Sequence, residues 1–358
     1  MTEIKSSPQN YYSEEVQNYL KQFSKQYSLD YILECLENLK DLKVLVVGEA
    51  IIDEYQFGSV IGKSAKEPII VLKYIKRELY PGGSLAVANH LADFCKEVGL
   101  FAMLGEKDSQ ERFIRQNLRK NIKPLFFYKK SSPTIIKRRF LEDVTFRKLL
   151  EFYVIDDSEL TKEQTDELVK KLKPLLSKYD LVVCTDFGHA MLNQKSRDLL
   201  VAKAKFLSVN TQVNAGNFGY HTISFYPKAD YLCLDEREIR LDRRTKDGEL
   251  EEVAKGIFEK VRSKFMIVTH GPNGSIGYKN KSKIEVCKVP SIAVKDIDKV
   301  GAGDAFFAIS SPLIYNKVPL ELICFIGNAV GALAVDIIGN KESITKKSLV
   351  NFIKNTLS

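Results

Sequence analysis

The sequence has few of the residues from which metal sites and disulfide frameworks are built. Its 358 residues include six cysteines and four histidines, and no two cysteines form a CxxC or similarly close pair. Scattered cysteines are typical of free, buried thiols in a reducing compartment rather than of a zinc site or a disulfide-stabilised fold. The N-terminal stretch MTEIKSSPQNYYSEEVQ also lacks the apolar segment of a secretory signal. We therefore expect a cytoplasmic protein.

Blocks of like charge and membrane-spanning apolar runs are missing as well. Lysine and arginine (54) outnumber aspartate and glutamate (46), but no block of five or more like charges occurs, so a nucleic-acid-binding tail is not indicated. A mild basic excess fits anionic small molecules such as phosphorylated metabolites. The stretch LICFIGNAVGALAVDIIG (322–339) contains Asn328 and Asp336, whereas a spanning helix needs roughly 20 apolar residues. It predicts a helix in a globular core, with no membrane partner.

Short apolar runs that end in glycine or polar residues alternate with helical segments from residue 43 onward. Such runs are typical of buried parallel strands, whose two faces are covered by helices. A helix is predicted over SLAVANHLADFCKEV (84–98). The alternation favours a doubly wound α/β domain over residues 43–358, with ligands at the carboxyl ends of its strands. The predicted strands are KVLVVGEAIID (43–53), LVVCTDFG (181–188), FLSVNTQ (206–212), YLCLDE (231–236) and FMIVTHG (265–271).

Two parts of the chain lie outside this alternation. Residues 1–42 read as an added helical extension, with Ser13 and Ser28 placed as N-caps of two helices. We expect these helices to pack on the core or on another subunit. The segments 57–79 and 133–156 are rich in β-branched and aromatic residues, and we predict that they form a small sheet that covers the site as a lid. An exposed lid sheet allows a homodimer in which two lids cover each other.

The stretch DKVGAGDAF (298–306) places a carboxylate between a glycine-rich turn and an apolar segment. Gly301 and Gly303 allow backbone N–H groups to turn toward one point, and the following helix directs its positive end there. This arrangement stabilises the negative charge of a phosphoryl group in transfer. Asp304 is placed to accept a proton from an attacking hydroxyl, and we expect the helix N-terminus to keep it ionised at neutral pH. A simple helix cap is the alternative. Pro312 is expected to kink or end this helix after about two turns.

DKVGAGDAF resembles the C-terminal signature D-T-x-G-A-G-D of the ribokinase-like (PfkB-type) carbohydrate kinases. Other segments are similar to further parts of this family and follow the family's order over residues 43–340. The resemblance implies a doubly wound, mostly parallel sheet flanked by helices, with a small β-sheet lid. It also implies phosphoryl transfer from ATP with Mg²⁺. The further matching segments are GEAIIDEY, YPGGSLAVANHLA, DYLCLDEREI, VTHGPNGSIGY and GNAVGALAV.

The matching positions imply roles for individual residues. The base is Asp304, and the transferred phosphoryl group lies against the loop in front of it. By resemblance, the assigned residues are Gly301, Ala302 and Gly303 at the phosphoryl group; Asp53, Gly82 and Gly83 at the sugar; Thr269, Gly271, Gly274 and Asn328 at the nucleotide; Asp235 and Glu238 at Mg²⁺; and Asp298 at a monovalent cation such as K⁺.

Within the family, PTIIKRRFLED, RKLLEFY and TDFGHAML are similar to heptose-7-phosphate kinases. The product of that branch is a heptose 1,7-bisphosphate, a precursor of nucleotide-activated heptose, so a separate nucleotidylyltransferase is a candidate partner in the same pathway. A phosphorylated substrate needs cationic contacts, and Lys137, Arg138 and Arg139 supply them on one predicted lid strand. Alternation places Lys137 and Arg139 on one face. The alternative is that these residues belong to a solvated lid face.

Several ligand positions depart from the family pattern. Ala86 stands where an asparagine contacts the substrate, and Asp235 stands where an asparagine near the metal is usual. Lys299, beside Asp298, carries an ammonium that could replace the monovalent cation, which makes a K⁺ requirement doubtful. His189 replaces a lysine of the heptose-kinase-like segment, and VNTQVNAGN (209–217) replaces its D-P-K.

The base and the glycine loop remain intact, which favours an ATP-dependent sugar kinase. By resemblance, the favoured substrate is a heptose-7-phosphate that attacks through its anomeric oxygen. Ala86 and His189 favour an alternative, a kinase for another sugar or a nucleoside. A non-catalytic sugar- or nucleotide-binding homologue is the third interpretation, and the intact Asp304 argues against it because a binding protein needs no base.

Overall fold

A computed structural model describes residues 12–294 and 297–358, and in these residues twelve strands are joined by hydrogen bonds into a main sheet and a lid. The strands are β1 (Lys43–Lys63), β2 (Ile70–Gly83), β3 (Glu97–Lys107), β4 (Ile122–Pro133), β5 (Ile135–Glu142), β6 (Lys148–Val154), β7 (Leu181–Asp186), β8 (Leu207–Thr211), β9 (Tyr231–Asp235), β10 (Phe265–Thr269), β11 (Ser275–Lys279) and β12 (Glu285–Val289).

The main sheet has the strand order β12-β11-β10-β9-β8-β7-β1-β3-β4. Neighbouring strands from β10 to β4 run parallel, and only β11 and β12 are added antiparallel at one edge. The five strands predicted from apolar runs are confirmed as β1, β7, β8, β9 and β10. The predicted doubly wound, mostly parallel α/β sheet is therefore confirmed.

Helices cover both faces of this sheet. Along β1, Val44 and Val46 face one apolar core, whereas Leu45 and Val47 face the other. Both cores are needed because a parallel strand is buried on two sides. The helices are α1 (Glu14–Gln26), α2 (Leu29–Glu37), α3 (Ser84–Leu91), α4 (Glu111–Asn117), α5 (Lys162–Leu176), α6 (Gln194–Lys203), α7 (Glu236–Asp242), α8 (Leu250–Lys260), α9 (Ala302–Tyr315), α10 (Leu320–Ala334) and α11 (Lys346–Leu357).

The lid is an extension of β1 beyond the main sheet. The first part of β1 pairs with β3 and β7, and from Ala50 onward the same strand pairs with β2 on one side. From Ile51 it pairs with β5 on the other side, and β5 pairs with β6. The segments 57–79 and 133–156 thus contain lid strands as predicted. Because β1 is continuous, the lid is carried directly by the central strand of the main sheet.

The first two helices begin at the predicted caps. The hydroxyl oxygens of Ser13 and Ser28 accept hydrogen bonds from the first turns of α1 and α2. Phe23 of α1 is 1% exposed and lies with its ring centroid 4.2 Å from that of Phe325 in α10. In this chain, α1 packs on the core.

The core helix predicted within the apolar stretch 322–339 is confirmed as α10, which is buried along most of its length and ends at Ala334. Throughout the described ranges, each helix is either too short or too polar to cross a bilayer.

One helix prediction was wrong at its end, and one of the two outcomes expected at Pro312, the end of the helix, does not occur. The helix predicted over 84–98 ends at Leu91, because the side chain of Asn121 donates to the carbonyls of Ala92 and Cys95 and closes a turn there. Pro312 does not end α9, which continues to Tyr315. A helix-interior proline costs about 3 kcal/mol. Each large apolar side chain that α9 buries contributes about 1.5–3 kcal/mol, so packing outweighs the lost hydrogen bond.

Candidate active site

Asp304 lies in the first turn of α9, directly after the glycine loop. The N-cap is Gly301 with a φ of 84°, a left-handed conformation that favours glycine. A Cβ at this position would lie 2.3 Å from Oδ1 of Asn340. The local backbone therefore requires glycine, and this backbone places the Asp304 side chain in a buried position at the start of the helix.

The protonation of Asp304 differs from the expectation for a helix N-terminus. Burial and, to a smaller extent, the charge of Asp53 raise the pKa of Asp304 to about 7, against the opposing effects of Lys137 and Gln212. Nε2 of Gln212 donates to Oδ1 of Asp304 over 2.5 Å. The expectation of full ionisation at neutral pH is therefore wrong, because desolvation outweighs the helix dipole. A carboxylate with a pKa near neutrality is well matched to general base catalysis.

A cavity of about 670 Å³ opens beside the glycine loop, at the carboxyl ends of β8, β9 and β10. A Cβ built on Gly303 or Gly331 meets no atom within 4 Å, so the space beside these backbones is open. The volume lies within the range of about 300–1,000 Å³ that small-molecule sites occupy. Six of the residues predicted for the phosphoryl group and the nucleotide line this cavity: Ala302, Gly303, Thr269, Gly271, Gly274 and Asn328.

Two carboxylates border the same cavity, those of Asp235 and Glu238. They form a capping box at the start of α7, in which Glu238 accepts a hydrogen bond from the N–H of Asp235 over 2.8 Å. Burial raises the pKa of Glu238 to about 8 and also raises the pKa of Asp235. Among the described residues, no group of three or more His, Cys, Asp or Glu side chains is arranged to hold a metal ion. A pair of carboxylates suits Mg²⁺, which keeps several waters and takes further ligands from phosphate oxygens.

A second group of polar residues lies under the lid, around Asp53. Its Oδ1 accepts a hydrogen bond from Nη1 of Arg139 over 2.6 Å, and its Oδ2 accepts one from Nδ2 of Asn340 over 2.8 Å. A Cβ on Gly82 would lie 2.1 Å from Oδ2 of Asp53, so the turn into α3 must be glycine for the two to lie side by side. Gly83, with a φ of 58°, is the N-cap of α3. The predicted sugar residues are thus brought together.

The three lid cations divide between two faces, as strand alternation predicts. Lys137 and Arg139 are buried toward Asp53, so they do not form a solvated lid face. Arg138 lies on the opposite face and binds the buried carboxylate of Glu54.

The two inward cations differ in their pairing. Arg139 binds Asp53 and also Glu151, with Nε 2.8 Å from Oε1 of Glu151. Within the described residues, Nζ of Lys137 makes no hydrogen bond or ion pair, and it lies 5.3 Å from the ring centroid of Tyr153. Burial lowers the pKa of Lys137, although Asp53 and Asp304 favour its charged form. Lys137 is therefore the cation with capacity left for an anionic ligand.

Asp298 lies apart from the other predicted metal residues. Its Oδ1 lies 2.5 Å from Nζ of Lys148 on the lid strand β6, and its Oδ2 accepts hydrogen bonds from Tyr55 and from the N–H of Gly339. Burial opposes ionisation of Asp298, but Lys148 outweighs it and the pKa of Asp298 is lowered. The ammonium held at Asp298 is thus that of Lys148, while Lys299 borders the large cavity. The sequence had pointed to Lys299 because only neighbours in the chain were visible.

The structure shows the surroundings of two positions that depart from the family pattern, His189 and Ala86. His189 is buried, and burial lowers its pKa to about 3. Its Nε2 lies 3.3 Å from Nδ2 of Asn214. A neutral imidazole cannot replace the charge of a lysine, so it weakens any anion contact here. Ala86 is buried in α3 and has no polar atom to offer to a ligand.

Comparison with known proteins gives the family. The model of the pfkB family carbohydrate kinases matches residues 41–347. The chain belongs to the pfkB carbohydrate kinase family. As a member of this family it is an enzyme, a sugar kinase.

Relatives of this carbohydrate kinase are distant. A protein named Bifunctional protein HldE from Shewanella sp. (strain ANA-3) is 25% identical over 299 residues, which is 83% of this chain and 60% of that protein. The chain thus spans about three-fifths of the length of the curated relatives it matches. Among solved structures, phosphofructokinase-2 from Escherichia coli is similar with a TM-score of 0.70 at 14% identity, over 88% of this chain and 100% of that one. Ribokinase from Thermotoga maritima has a TM-score of 0.63 at 20% identity, over 87% of this chain and 99% of that one. These similarities show a common fold.

The candidate site contains polar residues that sequence analysis missed. Gln212 contacts Asp304, Asn340 contacts Asp53, and Glu151 and Lys148 come from the lid strand β6. A signal existed for Gln212, because it follows the apolar run of β8 and therefore lies at the carboxyl edge of the sheet. Strand alternation could have placed Glu151 on the same face as its partner Arg139. No local pattern marks Asn340, which follows α10 in a short loop.

Proposed function

We propose that this sugar kinase transfers the γ-phosphoryl group of ATP to a sugar hydroxyl, with Asp304 as the general base. The observation that carries the proposal is the position of Asp304 between the large cavity and the polar group around Asp53. Gln212 and Gly303 connect it to the large cavity, and its charge is coupled to Asp53 and Lys137 under the lid. A hydroxyl bound beside Asp53 would therefore meet a phosphoryl group bound at the glycine loop.

The roles in the transfer follow from this arrangement. Asp53 and the Gly82–Gly83 backbone orient the sugar, and Asp304 accepts the hydroxyl proton as the new O–P bond forms and ADP departs. The backbone of Gly301, Ala302 and Gly303, at the positive end of α9, stabilises the charge on the phosphoryl oxygens. The lid excludes water, which suppresses hydrolysis of ATP.

The large cavity is proposed to hold ATP with Mg²⁺. Its open glycine backbones leave room for phosphates and for a base, and Thr269, Gly271, Gly274 and Asn328 line it. Asp235 and Glu238 would hold the Mg²⁺ ion, largely through water. When bound, the ion neutralises charge that develops on the phosphate oxygens.

A heptose-7-phosphate, attacking through its anomeric oxygen, is the favoured acceptor. The support is the resemblance of the lid and TDFGHAML segments to heptose-7-phosphate kinases, together with the unpaired Lys137. Arg139 gives less support, because two carboxylates already bind it. That pairing, with the neutral His189 and the apolar Ala86, favours the second candidate, a kinase for another sugar or a nucleoside.

The deciding experiment is ADP release from Mg·ATP with a panel of sugars and sugar phosphates that includes heptose-7-phosphate. The panel is run on wild type, Asp304→Asn and a surface control, Asp198→Asn. Asn keeps an oxygen that can accept from Gln212 but cannot take a proton. Loss of a general base costs about 10²–10⁴-fold in rate, so the Asp304 variant should be nearly inactive and the control fully active.

The outcomes of this experiment distinguish between the proposed substrates and test the proposed base. Turnover of heptose-7-phosphate that collapses only in Asp304→Asn supports the base and the substrate together. Turnover of a different sugar keeps Asp304 and rejects the heptose. If Asp304→Asn retains wild-type turnover, the assignment of the base is wrong.

A further inference from the structure

The N-terminal helix α1 reaches the same cavity as the proposed nucleotide residues. Tyr12, Ser13 and Val16 border it together with Asn328 of α10. These three residues precede the part of the chain that the family model matches, residues 41–347. An element outside the family core therefore completes one wall of the cavity.

This cavity wall is fixed to the core because α1 packs on α10. Leu20 and Phe23 of α1 are buried, and Phe23 packs on Phe325, which lies one turn before Asn328 on the same face of α10. The anchor and the cavity wall thus share one helix of the core.

Hydrogen bonds also fix the first turn of α1. The side-chain amide of Gln17 donates to the carbonyl of Tyr12 over 2.9 Å, and the N–H of Val16 donates to the hydroxyl of Ser13. The Tyr12 side chain also contacts Thr356 of α11. Tyr12 and Val16 are each 8% exposed, so both side chains occupy defined positions at the edge of the cavity.

The lining of the cavity combines two kinds of residue. The glycine loop, Gln212 and the carboxylates of Asp235 and Glu238 suit phosphates and a metal ion. Other lining residues are small and apolar, namely Pro272, Ala293, Val294, Ala332 and Val335. Together with the aromatic ring of Tyr12, apolar lining of this kind suits a flat heteroaromatic ring.

We infer that α1 forms one wall of the nucleotide base site, with Tyr12 and Val16 as residues that determine affinity for the base. The inference rests on the proposed use of the large cavity for ATP. It assigns a ligand contact to a helix that would otherwise serve only as packing on the core.

The test measures ligand binding to the full chain by isothermal titration calorimetry, without any sugar. The probes are Mg·ATP, adenosine and magnesium tripolyphosphate, so that the base end and the phosphate end are read separately. The variants are Tyr12→Ala, which removes the ring, and Val16→Asp, which places a charge against the base. Leu20→Ala is the matched control, because Leu20 belongs to the same helix but packs into the core and does not border the cavity.

We expect Tyr12→Ala to weaken adenosine and Mg·ATP binding by roughly 3- to 10-fold, as the loss of one aromatic contact implies, and Val16→Asp to weaken it more. Tripolyphosphate binding should be unchanged in both variants. Leu20→Ala should lower the melting temperature without changing any of the three affinities.

Other outcomes overturn the inference in distinguishable ways. If Tyr12→Ala binds adenosine like wild type while Mg·ATP still binds, the wall does not contact the base and the proposed function stands. If adenosine and tripolyphosphate weaken equally, α1 acts only on the fold. If wild type binds none of the three probes, the proposed function fails and the inference fails with it.

Discussion

The environment of Asp304 decides when this residue can act as a base. It is buried in the first turn of α9, with Gln212 donating to it and with Asp53 and Lys137 close enough to change its charge. Burial and Asp53 raise its pKa to about 7, so a modest change in pH changes the fraction that is ionised. As the proposed base, Asp304 should therefore contribute its own ionisation to the pH dependence of the reaction.

We predict that kcat/KM rises with pH and levels off above about 7, the value of the Asp304 pKa. Below that value the carboxyl group is protonated and cannot accept the hydroxyl proton, so the rate should fall about tenfold per pH unit. Initial rates between pH 5 and 9 check this, with thermal melts at each pH as a control for unfolding. A flat profile down to pH 5 would mean that Asp304 is ionised throughout or is not the base.

Lys137 offers a second prediction at the same scale. Its ammonium lowers the pKa of Asp304, so Lys137→Met should shift the pH profile to higher pH. It should also raise KM for a phosphorylated substrate, because the other buried inward-facing cation of β5, Arg139, is already paired with Asp53 and Glu151. Lys73→Met, an exposed lid residue on β2, is the control. An unchanged profile in Lys137→Met would remove Lys137 from the site.

Sequence analysis predicts most readily the site residues whose neighbours are close in the chain. Thr269, Gly271 and Gly274 belong to one strand and turn, so a single motif marks all three. Gln212 and Asn340 were missed because their partners are 92 and 287 positions away. Such contacts depend on which strand ends meet, and a single sequence does not contain that information in a local pattern.

Whether a monovalent cation is needed depends on how the lid strand β6 meets the loop before α9. The lid strand β6 brings Lys148 to Asp298, which also accepts hydrogen bonds from Tyr55 of β1 and from Gly339. The lid and the loop before α9 are therefore tied together by a charge pair. A monovalent cation would have to compete with a covalently attached ammonium for the same carboxylate.

We predict that activity is the same in K⁺, Na⁺ and choline salts of equal ionic strength. Lys148→Met removes the ammonium and leaves Asp298 with an uncompensated charge, so this variant should become dependent on K⁺. The measurement is initial rate against K⁺ concentration, with Lys76→Met on the lid strand β2 as the control. Strong activation of wild type by K⁺ would contradict the prediction.

Helix ends were the least predictable part of the elements. The helix predicted over 84–98 stops early because Asn121, from outside the segment, binds the carbonyls at its end. Pro312 is tolerated because α9 is buried between the sheet and α10. In both cases tertiary contacts override the local preference of the sequence for ending or continuing a helix. The central strands, in contrast, could be predicted from their apolar runs alone.

The packing of α1 gives a prediction of stability. Phe23 is 1% exposed and stacks on Phe325, and truncation of a buried phenylalanine costs about 3–5 kcal/mol. Phe23→Ala should lower the free energy of unfolding by that amount, whereas the exposed Lys21→Ala should change it by less than about 0.5 kcal/mol. Urea denaturation of both variants is the measurement. A loss below 1 kcal/mol in Phe23→Ala would show that α1 is not part of the cooperative unit.

On the molecule as a whole, the outer face of the lid exposes several large apolar side chains. Because side chains alternate along β5 and β6, the inner face carries the charged site residues, and the outer face carries Leu150 and Phe152. Tyr74 of β2 is 65% exposed, Leu150 is 60% exposed and Phe152 is 52% exposed. Near them, Arg77 and Arg138 hold the buried carboxylate of Glu54. Large apolar side chains grouped on one exposed sheet face favour association with another protein surface.

We therefore propose that two chains pair through their lids. A stable interface buries about 800 Å² on each partner, and a charge at its centre should abolish it. Light scattering after size-exclusion chromatography should give twice the mass of one chain for wild type and a single-chain mass for Tyr74→Glu with Phe152→Glu. Val286→Glu, on β12 at the far edge of the main sheet, should leave the dimer intact.

Because each lid would support the other over its sugar site, the monomeric variant should also show a higher KM for the sugar while its affinity for Mg·ATP stays unchanged. A wild-type monomer at micromolar concentration would exclude the dimer and leave the outer lid face exposed in solution.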